Sequence, residues 1–283
     1  MNSIDEKIES LKTGTVAVLG IPLDENSSFL RGAALGPARI REVLHSGSSN
    51  MYTERGIDLG DVSGWTDIGD LGPALGTEAL NEIKKAISHL LSRDARILSL
   101  GGDHSITHPI VKAFAKKFKP LTILHVDAHP DTYDVYEGNR FSHACPFARI
   151  MEEGLARRLV QVGVRTMNLH QRQQVERFGI EVIEMKDWSP DKVPTVDGAV
   201  YLSLDLDGLD PAFAPGVSHH EPGGLSTRDV LKIIHALPPD LVGADIVEFN
   251  PSRDSVGITA MVAAKFYKEI VGHMLGPAPA QKS

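Results

Sequence analysis

The chain is acidic and of moderate size: it has 283 residues, with 29 Lys and Arg against 37 Asp and Glu and a formal net charge of -8 at pH 7. This balance argues against a nucleic-acid-binding surface, which needs clustered basic side chains. The single cysteine, Cys145, cannot form an internal disulfide, and no apolar stretch approaches the ~20 residues of a membrane span, so we expect neither a disulfide framework nor a membrane partner.

The N-terminal segment adds a prediction of location. Residues 1–11 are acidic and helical in pattern, without the apolar core of a signal peptide or the Arg-rich character of a transit peptide. Together with the lone cysteine, this pattern favours a protein of the reducing cytoplasm.

Apolar runs and helical periodicity alternate along the chain. The runs predict strands at 15–21, 96–100, 121–126, 159–164, 181–184, 200–206 and 241–247. The periodic segments predict helices at 37–44, 78–91, 106–118, 146–153, 169–178, 227–236 and 256–274, with Ser226 and Asp229 forming a capping box before the sixth. This alternation predicts a single three-layer α/β/α domain over residues 1–283, with a mostly parallel sheet and flexible ends at 1–14 and 277–283.

Three polar clusters follow three of the predicted strands. They read GGDHS at 101–105, DAHPD at 127–131 and SLDLDGLDP at 203–211. The carboxyl ends of parallel strands form the ligand crevice of open α/β sheets, so we expect the clusters to meet there. Leucines alternate with Asp205 and Asp207, which places both carboxylates on one side of the strand end.

Packing does not explain these residues, because an aspartate is almost never fully buried unless it is paired or bound to metal. Two imidazoles and at least four carboxylates are a ligand set for a pair of divalent cations, which indicates a binuclear metallohydrolase. Some members have simpler interpretations. Asp103 and Asp210 are equally well explained as turn or cap residues, and His125, inside an apolar strand, is assigned to the core or to a position behind the ligands.

The three motifs together resemble the signatures of the ureohydrolases, the arginase and agmatinase family. The likeness extends over about 15–273 and is strongest to plant-type arginases, in EGNRFSHACPFARIMEEG from 137, GVSHHEPGGLSTRDV from 216 and VGADIVEFNPSRDSVGITAMVAAK from 242. The resemblance implies an arginase-like fold, a small guanidino substrate, and a homo-oligomer that is a trimer or a hexamer.

The resemblance also implies two Mn(II) ions per chain. The first would be held by His104, Asp127, Asp131 and Asp205, and the second by Asp127, His129, Asp205 and Asp207. A site of hard carboxylates with few imidazoles suits Mn(II) better than a metal that prefers thiolates.

Hydrolysis of a guanidinium carbon needs hydroxide at neutral pH, and a water bridging two metals supplies it. The family implies that Asp131 moves the proton from this water to the leaving amine. It also implies that Glu248 pairs with the substrate guanidinium and that His143 exchanges protons with solvent.

Substrate choice depends on the rim of the pocket. Animal arginases have an asparagine where this chain has Tyr133, as agmatinases do, and residues 218–220 read Ser-His-His where Gly-Thr-Pro is usual. If the substrate is L-arginine, donors near Tyr133, Asn139 and His219 must compensate its carboxylate. The likeness to plant arginases favours L-arginine over agmatine and other guanidino acids.

Two hypotheses from other classes remain open, and a third lacks the motif that it needs. A metal-dependent amide hydrolase shares this architecture but uses one zinc, so that counting metals separates the two. A catalytically silent metal-binding protein predicts a broken ligand set, which the sequence does not show. A nucleotide-binding protein would need a phosphate loop, and Gly101-Gly102 lacks the G-x-G-x-x-G spacing.

Overall fold

The computed structural model describes residues 4–72 and 74–276, and its centre is a parallel sheet. The strands are β1 (Val16–Ile21), β2 (Trp65–Asp70), β3 (Arg96–Gly101), β4 (Leu121–Val126), β5 (Arg158–Val162), β6 (Glu181–Ile183), β7 (Ala199–Asp205) and β8 (Leu241–Val247). All pairings between these strands are parallel, and the spatial order is β2-β1-β3-β8-β7-β4-β5-β6. The four central strands are therefore β3, β8, β7 and β4.

Helices cover both faces of this sheet. They are α1 (Ile4–Glu9), α2 (Gly36–Leu44), α3 (Thr77–Ser92), α4 (Thr107–Lys117), α5 (Pro146–Glu152), α6 (Leu169–Phe178), α7 (Thr227–Ala236) and α8 (Ile258–Leu275). Successive residues of a strand point to opposite faces. Accordingly, Val16 and Val18 of β1 belong to the apolar core shared with α2, α7 and α8, whereas Ala17 and Leu19 belong to the core shared with α1, α3 and α4. The predicted three-layer architecture and its parallel sheet are confirmed.

Element boundaries agree closely with the predictions, and the capping box of Ser226 and Asp229 is present at the start of α7. Strand β2 was not predicted. Its sequence, WTDIGD, lies at the edge of the sheet and buries only Ile68, so it lacks the apolar run that marks the inner strands.

The two ends that were expected to be flexible differ in what the structure describes. Residues 4–14 include α1, whose Ile8 is fully buried in the core shared with α3. Residues 277–283 lie outside the described residues. Among the helices of 4–72 and 74–276, none combines the length and the apolar character that crossing a membrane requires.

Candidate metal centre

The three polar clusters converge at the carboxyl ends of central strands. His104 follows β3, residues 127–131 follow β4, and Asp205 is the last residue of β7. Glu248 directly follows β8, which lies between β3 and β7 in the sheet. Four adjacent strands therefore deliver their polar ends to one place, as the crevice rule for open α/β sheets predicts.

A first group of ligand atoms surrounds the ring of His104. Its Nδ1 lies 3.3 Å from an oxygen of Asp127, 3.1 Å from one of Asp131 and 3.1 Å from one of Asp205. These four residues are buried and their ligand atoms are near enough to share one cation. The set is the one expected for the first metal.

A second group lies beside the first. His129 Nδ1 is 3.4 Å from Asp127 Oδ1 and 3.2 Å from Asp207 Oδ2, and these three residues could also hold a cation. Asp127 belongs to both groups, as expected for a ligand between two ions. Asp205 was expected to contact both ions, but the structure groups it with the first set alone.

The state of these side chains fits a cation between them. His104 Nδ1 is buried and has no hydrogen-bond partner among the described residues, although three carboxylates surround it at ion-pair distances. Burial, with the charges of Asp207 and Asp127, raises the pKa of Asp205 well above its usual range. Positive charge at this position would supply the missing partner of His104 and relieve the repulsion between the carboxylates.

His125 stands behind the ligands. Its Nδ1 faces the amide nitrogen of Gln161 at 3.0 Å, and an amide nitrogen can only donate. The other ring nitrogen, Nε2, must then carry the proton and donate to Asp127 Oδ2 at 2.8 Å. His125 therefore orients Asp127, which agrees with its predicted place behind the ligands.

Asp103 and Asp210, which were left open between ligand and turn residue, both support turns. Asp103 accepts from the backbone of Ser105 and of Asn26, at 3.0 Å and 2.9 Å. Asp210 accepts from the backbone of Ala212, Gly223 and Gly224. Neither residue belongs to the two groups of ligand atoms.

Gly102, before His104, is required by packing. A Cβ at this residue would lie 1.9 Å from the carbonyl oxygen of Leu23, in the loop after β1. The absence of a side chain at Gly102 therefore lets the backbone of this turn lie against the neighbouring loop.

A buried acid and a buried histidine meet at the side of the cluster. Glu248 Oε1 accepts from the backbone N–H of His104 at 2.9 Å and from His143 Nδ1 at 3.0 Å. Burial lowers the pKa of His143, but the charge and the hydrogen bond of Glu248, with the charges of Asp131 and Asp103, together raise it to about 9. Burial raises the pKa of Glu248, but the charge and the hydrogen bond of His143, with the contacts to His104, lower it overall. The two side chains form an ion pair, with His143 Nε2 held 2.8 Å from Ser28 Oγ.

A cleft opens over the cluster. Among its lining residues are the predicted Asp131, Tyr133, His143, His219 and Glu248, and also Ser28, Tyr136, Thr166, Asn168, Gln171 and Glu221, which the sequence did not single out. Asn168 bonds Tyr133: its Nδ2 donates to the tyrosine hydroxyl at 2.6 Å. The His219 ring stacks 5.2 Å from that of His143, and burial, with the charge of His143, lowers its pKa.

The structure places Asn139 outside the lining of the cleft. Its Nδ2 donates to Asn26 Oδ1 at 3.0 Å, and its Oδ1 accepts from the backbone of Phe141 at 2.8 Å. The first contact joins two loops and the second lies within the loop of Asn139, so both polar atoms of the amide are used. The expected contact of Asn139 with substrate is therefore replaced by a role in shaping the loop that carries His143.

Arg165 fastens the third cluster to the sheet. Its guanidinium donates to the carbonyl oxygens of Asp207, Gly208 and Leu209, and its Nε donates to that of Glu221. Nothing in the local sequence marks this role, because the acceptors of all four bonds lie more than forty residues away.

A parallel sheet with carboxylates and imidazoles gathered around a buried, unpartnered ring nitrogen is the architecture of a metal-dependent α/β enzyme. Comparisons with known proteins define the family. The Arginase family model matches residues 14–272. Arginase 1, mitochondrial, of Arabidopsis thaliana is 51% identical over 274 residues, covering 90% of this chain and 80% of that protein. The chain belongs to the arginase family and is a ureohydrolase.

Two further comparisons bear on fold and substrate. The solved structure of the arginase from Medicago truncatula matches with a TM-score of 0.89 at 44% identity, covering 96% of this chain and 91% of that one. The agmatinase of Bacillus cereus is 34% identical over 271 residues, covering 93% of this chain and 92% of that protein. The arginase-like fold is confirmed, and the agmatinase is the more distant of these relatives.

The expected cytoplasmic location is contradicted. Plant relatives of this chain are named mitochondrial or chloroplastic/mitochondrial, not cytoplasmic. The reasoning from Cys145 failed because a lone cysteine argues against disulfide formation without distinguishing one reducing compartment from another.

Proposed function

We propose that the protein hydrolyses L-arginine to L-ornithine and urea with two Mn(II) ions per chain. His104, Asp127, Asp131 and Asp205 would hold the first ion, and Asp127, His129, Asp205 and Asp207 the second. The observation that carries the proposal is the unpartnered His104 Nδ1, buried among three carboxylates on a chain that is 51% identical to a plant arginase.

The ions would supply hydroxide at neutral pH, which the weakly electrophilic guanidinium carbon requires. Asp131 belongs to the first group of ligand atoms and also lines the cleft. This supports a role for its carboxylate in acting on the substrate. In the proposed reaction Asp131 takes the proton of the attacking water and gives it to the nitrogen that leaves. A carbon–oxygen bond forms, the bond from carbon to the leaving nitrogen breaks, and the products are urea and a primary amine.

Glu248 would bind the guanidinium group. Its described hydrogen bonds all reach Oε1, so that Oε2 is the oxygen left for a substrate in the cleft. A carboxylate and a guanidinium make charge-assisted hydrogen bonds, which are roughly twice as strong as neutral ones.

His143 would exchange protons between the cleft and solvent. One ring nitrogen faces Glu248 and the other faces Ser28, which also lines the cleft. This placement lets the imidazole pass a proton to the product amine after turnover, when Asp131 has returned its own.

L-Arginine differs from agmatine by a carboxylate, and the surroundings of Tyr133 support a role in its recognition. Asn168 Oδ1 accepts from the backbone of Gln171 at the start of α6, which directs Nδ2 to the hydroxyl oxygen of Tyr133. Because that oxygen already accepts, its own proton is free to donate into the cleft. We propose that this hydroxyl, with the neutral ring of His219, receives the substrate carboxylate.

The second candidate is agmatinase, because the tyrosine at 133 is the residue that resembles agmatinases. A urea-release assay on L-arginine, agmatine and guanidinobutyrate, with added Mn(II) and with metal analysis, tests both. Faster urea release from L-arginine supports the proposal. Much faster release from agmatine would replace it with agmatinase, and the absence of urea from all three substrates would refute the ureohydrolase assignment of the site.

We further propose one domain and a homo-oligomer, a trimer or a hexamer, as the family likeness implies. Light scattering of the purified protein measures its mass in solution. A mass equal to the 30.7 kDa of one chain would contradict the oligomer.

A further inference from the structure

Asp245 is a buried carboxylate to which the proposed chemistry gives no part. It lies on β8 and is fully buried. Its Oδ1 accepts from Ser203 Oγ at 2.7 Å, and its Oδ2 accepts from the hydroxyls of Tyr201 at 2.7 Å and Thr107 at 2.8 Å. All three hydroxyls donate to this carboxylate.

Ser203 connects this carboxylate to the metal cluster. Ser203 on β7 is paired with Asp245 on β8, and its Oγ also lies 2.9 Å from His104 Nε2. A hydroxyl has one hydrogen, and Ser203 donates it to Asp245 in a hydrogen bond. Toward His104, Ser203 can therefore only accept, so that Nε2 carries the hydrogen.

The consequence appears on the opposite side of the imidazole ring. With the hydrogen on Nε2, the lone pair of Nδ1 points at the carboxylates of Asp127, Asp131 and Asp205. A histidine binds a metal through such a lone pair, and the hydrogen bond of its other nitrogen selects it.

We propose that Asp245 and Ser203 are positioning residues that hold His104 in the tautomer able to bind a metal ion. This inference rests on the proposed function, because it assigns the network to the same metal site. A purely structural network would join β7, β8 and α4 equally well, but it would have no effect on metal affinity beyond its effect on folding.

Three substitutions separate these roles. Ser203→Ala removes the acceptor of His104, whereas Ser203→Thr keeps a hydroxyl. Ser99→Ala is the matched control, because Ser99 pairs with Asp245 from β3, is equally buried, and its hydroxyl has no partner among the described residues. Mn(II) affinity is measured on the loaded proteins by competition with a chelator, and thermal unfolding is measured on the metal-free proteins.

Loss of a hydrogen-bond partner behind a metal ligand typically weakens binding about 10- to 100-fold. We expect this loss in Ser203→Ala, with Ser203→Thr near wild type. We expect Ser99→Ala to keep its Mn(II) affinity even if its unfolding temperature changes as much as that of Ser203→Ala. Wild-type affinity in Ser203→Ala would overturn the positioning role and leave the proposed function standing.

Asp245→Asn tests the direction of the hydrogen bonds without changing shape. Its amide oxygen would accept from Tyr201 and Thr107, so that the amide nitrogen faces Ser203 and donates to it. Ser203 would then donate to His104 Nε2, and the hydrogen of the ring would move to Nδ1.

We expect Asp245→Asn to bind Mn(II) at least about tenfold more weakly than wild type. Unchanged affinity in this variant contradicts the proposal even if Ser203→Ala does not fold. A wild-type protein that binds no Mn(II) would overturn the proposed function and this inference together.

Discussion

Replacing Glu248 with glutamine tests the guanidinium site with little change of shape. The amide oxygen can still accept from the backbone of His104, whereas the amide nitrogen takes the place of Oε2 and presents hydrogens to a substrate that is itself a donor. A hydrogen bond to a charged group contributes about 1.5–3 kcal/mol, so kcat/KM on L-arginine should fall about 10- to 150-fold.

The same substitution should change His143. Burial lowers the pKa of His143, and the charge of Glu248 is the first of the effects that raise it to about 9. In Glu248→Gln the pKa should therefore fall toward 6.5 or below. Steady-state kinetics give the first effect. Histidine NMR of the metal-free protein, which avoids the paramagnetism of Mn(II), gives the second.

A control contact between an acid and a histidine lies outside the lining of the cleft. Glu153 accepts from His108 Nε2 at 3.0 Å and also pairs with Lys112, so Glu153→Gln removes a carboxylate beside a histidine without touching the cleft. We expect it to leave kcat/KM unchanged. Metal content should remain that of wild type in both variants. An unaltered kcat/KM in Glu248→Gln, with metal present, would refute the assignment of Glu248 to the guanidinium group.

Three further predictions follow from the site. Asp205→Asn should lose metal and activity together, whereas Asp103→Asn should keep most of its metal; metal analysis of both proteins checks this, and two retained ions with full turnover in Asp205→Asn would contradict it. In metal-free protein, the pKa of His143 rises from 6.5 unfolded to about 9 folded. Its contribution to stability is complete below pH 6.5 and is lost as the pH rises through about 9, so denaturant titrations of wild type and His143→Asn should differ in pH dependence by up to about 3 kcal/mol; parallel curves would exclude the ion pair. Tyr133→Phe should lower kcat/KM on L-arginine tenfold or more, about 1.4 kcal/mol, and change agmatine little; equal losses on both substrates would rule out carboxylate recognition.

The acidic and histidine side chains that the sequence expected to meet at the strand ends do lie together, because their signals are local. Asp205 ends β7 after alternating with buried leucines, so its direction follows from the strand, and Asp207 lies in the short turn directly after it. The inner strands were found because burial on both faces requires continuous apolar runs. Strand β2 is the end strand of the sheet and has a single buried apolar residue, Ile68, so it carried no such signal.

The parts that were missed depend on contacts between distant segments. Asn168 meets Tyr133 across 35 residues of chain, and Ser203 meets His104 across 99. Asp245 was read as one more residue of an apolar strand, because its partners become visible only when β7 and β8 are paired. Asn139 has an amide that could contact a substrate, but its nitrogen donates to Asn26 in a distant loop instead.

Two residues of the site, Asp131 and Glu248, have a strained backbone conformation that lowers stability while their side chains serve the proposed reaction. Asp131 and Glu248 have φ angles of 47° and 62°, a left-handed conformation that glycine adopts freely and that costs other residues about 1–3 kcal/mol. Glycine at either position would relieve this strain and remove the carboxylate on which the proposed reaction depends. Selection for thermal stability alone would therefore favour inactive variants at these two positions, so a stability screen needs a parallel measurement of urea release.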